Sequence, residues 1–242
     1  MKSKKKIIFI AVSAVLLLTL VFGLIYVFAK VLPEKREQEE LALLIEEYYQ
    51  TKLTTYEEEN ARYADYEVDV AFLGDSLTDG YDLAKYYPQY LTANRGIGGE
   101  TTFGLEERLK VSVYDLKPKV AVLLIGGNNL TTMFDNYENI LSGLQTNLPQ
   151  TKVVLVSLTA MGQSWGHRNQ IAAYNNVKIK MLAEKYGFGF VDLFTPLMDL
   201  ETGEIRAEYT TDGAHQTASG YEVFTREITP AIEAALGNEK NG

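Results

Sequence analysis

The chain has 242 residues, 46% of them hydrophobic, which is enough for one domain of ordinary size with attachments and a sizeable buried core. It has no cysteine and only two histidines, His167 and His215, which excludes a disulfide framework and a thiolate nucleophile and argues against a histidine-rich metal site. The formal net charge is −9; subtracting the four lysines of the first six residues from 23 leaves 19 basic against 32 acidic residues, or −13, a body repelled by nucleic acid and by anionic lipid head groups.

Residues 1–6, with Lys2, Lys4, Lys5 and Lys6, form a basic tail. From Ile7 to Ala29 runs an uncharged apolar stretch, I-I-F-I-A-V-S-A-V-L-L-L-T-L-V-F-G-L-I-Y-V-F-A. A helix crosses the bilayer core with about 20 residues, so residues 7–29 suffice for a transmembrane helix in contact with lipid. Val27-Phe28-Ala29 offers a V-x-A cleavage site, but a secretory signal has an apolar region of about 7 to 15 residues. An uncleaved anchor is therefore expected. The lysines before it favour a cytoplasmic amino terminus, with an asymmetry reduced by Lys30, Lys35 and Arg36, and they put the remaining chain outside the cytoplasmic membrane.

Residues 30–64 are rich in helix formers and read as a helical spacer. Leu41, Leu44, Ile45 and Tyr48 fall at i, i+3, i+4 and i+7, one apolar stripe on an acidic helix. Such a stripe packs on the domain behind it or, as the alternative, serves as a weak self-association seam; it is too short to define a coiled coil.

From residue 65 to 237 strand-like runs alternate with helical patterns. Strands are expected at 68–73, 119–125, 152–158 and 188–193, with a weaker one ending near Asn94, and helices at 104–116, 137–148, 169–186 and 219–236. The runs V-A-V-L-L-I and K-V-V-L-V-S-L are apolar throughout, as in parallel strands covered on both faces. Ligands of such sheets sit beyond the carboxyl ends of the strands. Residues 238–242 read as a loose tail.

Polar and glycine-rich clusters fall at those ends. After the first strand comes G-D-S-L, where Gly74 permits a sharp turn and Ser76 opens a helical segment whose N-terminus favours negative charge. This is not the G-x-S-x-G elbow, because Thr78 stands where that motif has its second glycine. Gly96, Gly98 and Gly99 follow the weak strand, Gly126-Gly127-Asn128-Asn129 the next, and Asp212-Gly213-Ala214-His215 precedes the last helix. Ser76 becomes a nucleophile when a base removes its proton, and His215 can do so with Asp212 three residues away to orient it. His167, in S-W-G-H-R-N, has no carboxylate within four residues and is the weaker candidate. The N–H groups of Ser76 and Gly99 and the Asn128 amide can make an oxyanion hole. Ser219, with Glu222 three residues on, is the expected cap of the last helix. Met161 to His167, with the single tryptophan Trp165, follows a central strand and is a candidate pocket wall.

In the order G-D-S-L, N-R-G-I-G-G-E-T-T, G-G-N-N and D-G-A-H, the blocks of residues 65–236 resemble the SGNH hydrolase family, also called GDSL esterases and lipases; the second block is similar to the platelet-activating-factor acetylhydrolase-like branch. The resemblance implies a three-layer α/β/α sandwich with about five parallel strands in flavodoxin-like order. It implies Ser76 as nucleophile, His215 as base, Asp212 as orienting acid, and Gly99 and Asn128 as oxyanion donors, with no metal or cofactor. Two positions depart from the pattern: Asn129 replaces the acid of G-x-N-D, and Glu100 the usual aspartate of the second block. Neither holds one of the five roles. The expected activity is that of a membrane-anchored extracytoplasmic serine esterase acting on short acyl esters of envelope carbohydrate or lipid. The alternatives are a lysophospholipase or thioesterase for longer chains, or a silent envelope-binding module.

Overall fold

Five short strands, none longer than five residues, carry the domain. In the computed structural model, which describes residues 2–237, they are β1 (Val70–Gly74), β2 (Thr92–Gly96), β3 (Val120–Leu124), β4 (Lys152–Val156) and β5 (Gly189–Val191). All pair in parallel in the order β2-β1-β3-β4-β5, the flavodoxin-like order expected. The tail expected at 238–242 lies outside the described residues.

The described chain divides into two units, with the break between Thr51 and Lys52. The first contains α1 (Lys2–Tyr26), a π-helical turn at Val27–Val31, and most of α2 (Leu32–Asn60). One helical stretch in it is long and apolar enough to cross a membrane. Large apolar side chains such as Leu17, Phe22 and Phe28 are exposed along it, as are Leu41, Leu44 and Ile45 of the acidic helix.

In the second unit the remaining helices are α3 (Ser76–Asp79), α4 (Leu83–Tyr86), α5 (Thr102–Glu107), α6 (Phe134–Asn147), α7 (Asn169–Tyr186), α8 (Phe194–Leu197) and α9 (Ala218–Leu236). Alternation along each strand sorts the core into two layers. Leu73, Ala121, Leu123, Val153 and Leu155 pack against Leu105, Ile140, Leu141, Leu144, Ile179 and Leu182 of α5, α6 and α7. Their neighbours Val70, Phe72, Val122, Leu124, Val154 and Val156 face Leu83, Leu197, Val223, Phe224 and Ile228 of α4, α8 and α9. A buried aliphatic or aromatic side chain contributes roughly 1.5–3 kcal/mol, so neither face can be left uncovered, and the three-layer α/β/α sandwich follows.

Three expected helix starts are corrected, and the helix expected from Tyr137 begins at Phe134. The helix expected from Gly104 begins at Thr102, because the Thr101 side chain caps it by accepting the Gly104 N–H, and it gives way to a π turn at Lys110–Tyr114. Ser219 lies inside α9, not at its cap. Thr217 takes that place, its Oγ1 accepting from the Gly220 N–H at 3.2 Å and donating to the Glu208 carbonyl at 2.6 Å.

Lys52–Asn60 belongs to the second unit, and its side chains close onto β2 and α3. Tyr56 is buried and donates to the Gly96 carbonyl at 2.7 Å, Lys52 meets Asp79 at 2.5 Å, and Asn60 Oδ1 accepts from Arg95 Nη2 at 3.1 Å. Arg95 is fully buried, pairs with the Glu59 carboxylate and lies over the Tyr56 ring at 4.6 Å.

Candidate active site

Register places the site. Gly74 lies level with Gly96 of β2 and Leu124 of β3, so three strands end together, and β1 stands where the order of connection reverses. A side chain is excluded at Gly74, since a Cβ would come within 2.3 Å of the Leu124 carbonyl oxygen. The chain then turns at Asp75, whose carboxylate accepts the Leu77 N–H at 3.1 Å, and α3 begins at Ser76.

Ser76 Oγ lies 3.0 Å from His215 Nε2, and His215 Nδ1 lies 2.7 Å from Asp212 Oδ2. The other Asp212 oxygen accepts the N–H groups of Ala214 at 2.9 Å and His215 at 2.8 Å. These bonds, led by that from the His215 N–H, hold the Asp212 carboxyl down to about 2, so it is ionised at neutral pH. The loop that carries His215 is fixed in turn: its carbonyl accepts from Thr211 N and Thr210 Oγ1.

The Gly99 and Asn128 groups come from adjacent turns. Gly99 has φ +77°, a left-handed conformation that costs glycine little, and this shapes the turn closed by Glu100 N donating to the Ile97 carbonyl. Asn128 sits in the 3-10 turn Gly127–Asn129, where its Nδ2 donates to the Glu100 carbonyl at 2.8 Å. One amide hydrogen is thereby fixed and the second remains for a ligand.

Both departures from the family pattern have partners. Asn129 reads Thr102 twice, its Oδ1 accepting from the Thr102 N–H at 3.3 Å and its Nδ2 donating to Thr102 Oγ1 at 2.9 Å. Glu100 is buried and accepts from Arg108 Nε at 2.9 Å; Arg108 also donates to the carbonyls of Gly74 and Arg95 and to Ser112 Oγ. One guanidinium therefore braces the ends of β1 and β2 and the turn that carries Gly99.

A cavity of about 120 Å³ opens beside Ser76. Leu77, Leu124, Leu158, Met161 and Trp165 give it apolar walls, and Asp75, Asn128, Arg168, Ser76 and His215 also line it. Trp165 thus lines the cavity and His167 does not. Among the described residues no group of three or more histidine, aspartate or glutamate side chains could hold a metal ion.

A family model described as GDSL-like Lipase/Acylhydrolase matches residues 72–223. The chain belongs to this family. It is accordingly a carboxylic ester hydrolase of the GDSL type. Solved structures of similar chains include one from Streptococcus pneumonia described as a candidate platelet activating factor, 25% identical, covering 82% of this chain and 99% of its own, with a TM-score of 0.73. A candidate acylhydrolase from Bacteroides fragilis NCTC 9343 is 26% identical over 75% of this chain and 95% of its own, with a TM-score of 0.68. A GDSL-like lipase from Bacteroides thetaiotaomicron VPI-5482 is 26% identical over 76% and 98%, with a TM-score of 0.67. A comparison with curated proteins found no match.

Two cavity residues of this GDSL-type hydrolase escaped the sequence. Asp75 belongs to the G-D-S-L block, but nothing local signals its burial, which pushes its carboxyl up to about 6 against the opposing pull of the Leu77 N–H. Arg168 follows Trp165 by three residues, and only folding brings it to the wall. The Asp75 shift has a testable sign. Because the folded-state value lies above the usual 3.8, the native protein binds more protons between about 4 and 6, and stability falls as pH rises through that window. Asp75→Asn keeps an acceptor for Leu77 N–H without a buried charge. It is expected to stabilise the full chain by about 1–3 kcal/mol at pH 8 and to give no gain near pH 3.5. Thermal unfolding at both pH values checks this; an equal shift at both disproves the assignment.

Proposed function

We propose that this GDSL-type hydrolase is a membrane-anchored, extracytoplasmic serine esterase for short acyl groups, and that Ser76, His215 and Asp212 are its catalytic triad. The observation that carries the reading is the continuous chain of hydrogen bonds from Ser76 Oγ through the His215 ring to the Asp212 carboxylate, 3.0 and 2.7 Å long.

In the acylation step His215 Nε2 takes the hydroxyl proton as Ser76 Oγ bonds to the ester carbonyl carbon. The carbonyl electron pair moves onto oxygen, where the N–H groups of Ser76 and Gly99 and the Asn128 amide stabilise it. Collapse of this intermediate breaks the bond to the alcohol, which leaves with the proton from His215. Water then enters, His215 takes its proton, the acyl-enzyme ester is cleaved, and Ser76 recovers its hydrogen as the carboxylic acid departs. Asp212 stays ionised and holds Nδ1–H throughout.

The small cavity supports an acetyl-sized acyl group, since its apolar walls leave about 120 Å³. The apolar stretch 7–29, preceded by four lysines, supports the anchor and its direction. An ester of envelope carbohydrate or lipid is the substrate within reach of a domain so tethered.

One experiment tests the site and its location together. Cells expressing the full chain are treated with a membrane-impermeant fluorophosphonate, which is expected to label the wild type in intact cells. Labelling only after lysis refutes the location, and labelling of Ser76→Ala refutes the nucleophile. With p-nitrophenyl esters, kcat/KM is expected to fall at least tenfold from acetyl to octanoyl; a flat or rising profile refutes the short-acyl assignment.

A further inference from the structure

Arg168 is the cavity residue that hydrolysis of a simple ester leaves without a task. It lies at the end of the 3-10 turn Gln163–Arg168 and is half-buried in the wall that also contains Trp165, Asn128 and Ser76. One of its N–H groups donates from Nη2 to the Gly127 carbonyl at 3.0 Å, and its guanidinium lies 5.4 Å from the Trp165 ring. No carboxylate among the described residues lies within ion-pair distance. The two buried arginines nearby differ in this respect: Arg95 is closed by Glu59 and Arg108 by Glu100.

A chain of net charge −9 has carboxylates in excess, and an arginine without one at a ligand cavity is therefore informative. An aromatic face on one side and protein on another reduce hydration of the guanidinium, while its in-plane N–H groups stay available, a geometry suited to carboxylate or phosphate oxygens. The wall that carries it is firmly held. Asn169 bonds to both the N–H and the carbonyl of Met161, Gly162 N donates to the Gly213 carbonyl, and Glu204 accepts the Gln163 N–H. Gln163 itself has φ +51°, a conformation unusual outside glycine, retained in this braced turn.

From this we infer that Arg168 determines specificity by binding an anionic group, carboxylate or phosphate, carried by the ester a few atoms from its scissile carbonyl. The inference rests on the esterase reading above and narrows its substrate class.

The test uses the full chain in detergent and four esters: phenyl acetate, 3-carboxyphenyl acetate, 3-phosphonooxyphenyl acetate and phenyl hemisuccinate. They compare no anion, either anion on the alcohol side, and a carboxylate on the acyl side. The readout is the ratio of kcat/KM for each anionic ester to that for phenyl acetate, in wild type, Arg168→Gln and Arg168→Lys. A charge-assisted contact corresponds to roughly a tenfold to hundredfold preference. Arg168→Gln is expected to reduce the wild-type ratio for at least one anionic ester by that factor, Arg168→Lys to restore part of it, and 1 M salt to shrink it in the wild type.

Because Arg168 also holds Gly127 beside Asn128, its loss lowers hydrolysis of every ester, and only the ratio reports recognition. Ratios equal in wild type and Arg168→Gln for all three anionic esters overturn the inference and leave the esterase reading intact. A wild type that hydrolyses none of the four overturns both. Unfolding curves of both variants accompany the kinetics, and the lysine variant decides the matter should the glutamine variant misfold.

Discussion

Ser76→Ala is expected to lower kcat for p-nitrophenyl acetate by roughly 10,000- to 1,000,000-fold, about 5–8 kcal/mol of lost barrier reduction, without moving the melting temperature by more than a few degrees. On the mechanism proposed above the hydroxyl is the atom that bonds to the acyl group, so no neighbour replaces it, and its removal leaves an unacylated site that holds ester beside the proposed oxyanion donors. His215→Ala is expected to be similarly severe, and the double variant no worse, because the two groups act in one proton transfer. Asp212→Asn should cost less than either. Its carboxylate is about half-exposed, at 49% of the side chain, and water can partly solvate the imidazolium in its place. Steady-state rates beside thermal melts check the series; a Ser76→Ala enzyme retaining more than about 1% of activity in a contaminant-free preparation excludes Ser76 as nucleophile.

Glu59→Ala is expected to destabilise the folded chain by about 2–4 kcal/mol, a loss read as roughly 4–16 °C in melting temperature. Arg95 has no exposed surface, its Nε has no partner, and its charge is balanced by the Glu59 carboxylate. Removal of Glu59 leaves a guanidinium with its bonds to Asn60 and Asn94 and its contact with Tyr56, but no counter-charge. The partner change is gentler. Arg95→Met removes the buried charge and fills similar volume, while Glu59, with 35% of its side chain exposed, returns to water. The ordering, Glu59→Ala worse than Arg95→Met, distinguishes a buried charge left alone from a lost contact. Equal losses would show that the pair acts through packing.

The fold and the hydrogen-bonded arrangement of Ser76, His215 and Asp212 were largely legible because both are written in short-range patterns. Four apolar runs and one weaker strand, with helical segments between them, admit few arrangements other than a covered parallel sheet, and the register of such a sheet brings the residues after β1, β2 and β3 together. Ser76 and Asn128 each follow a strand, so their meeting at one cavity can be read from order alone. Arg168 and the Glu59–Arg95 pair could not be read in this way. Arg168 is one charge in a loop, and what sets it apart is that no carboxylate among the described residues lies within ion-pair distance of it. Glu59 looks like the rest of an acidic helix, E-E-Y-Y-Q-T-K-L-T-T-Y-E-E-E-N, and only its position opposite β2 distinguishes it. Thr217 outcompeted Ser219 as a cap for a related reason: both residue types suit the position, and the bond to Glu208 that favours Thr217 comes from a distant turn.

The way Lys52–Asn60 closes onto β2 and α3 sets a limit on shedding. A protease that cuts before Lys52 leaves Tyr56, Glu59 and Asn60 with the domain and, on the anchored reading proposed above, frees an intact enzyme. One that cuts between Asn60 and Val68 carries them away, opens the Tyr56 site on Gly96 and strands the Arg95 charge. Upstream cleavage is thus a route to a free hydrolase, and downstream cleavage a route to its destruction.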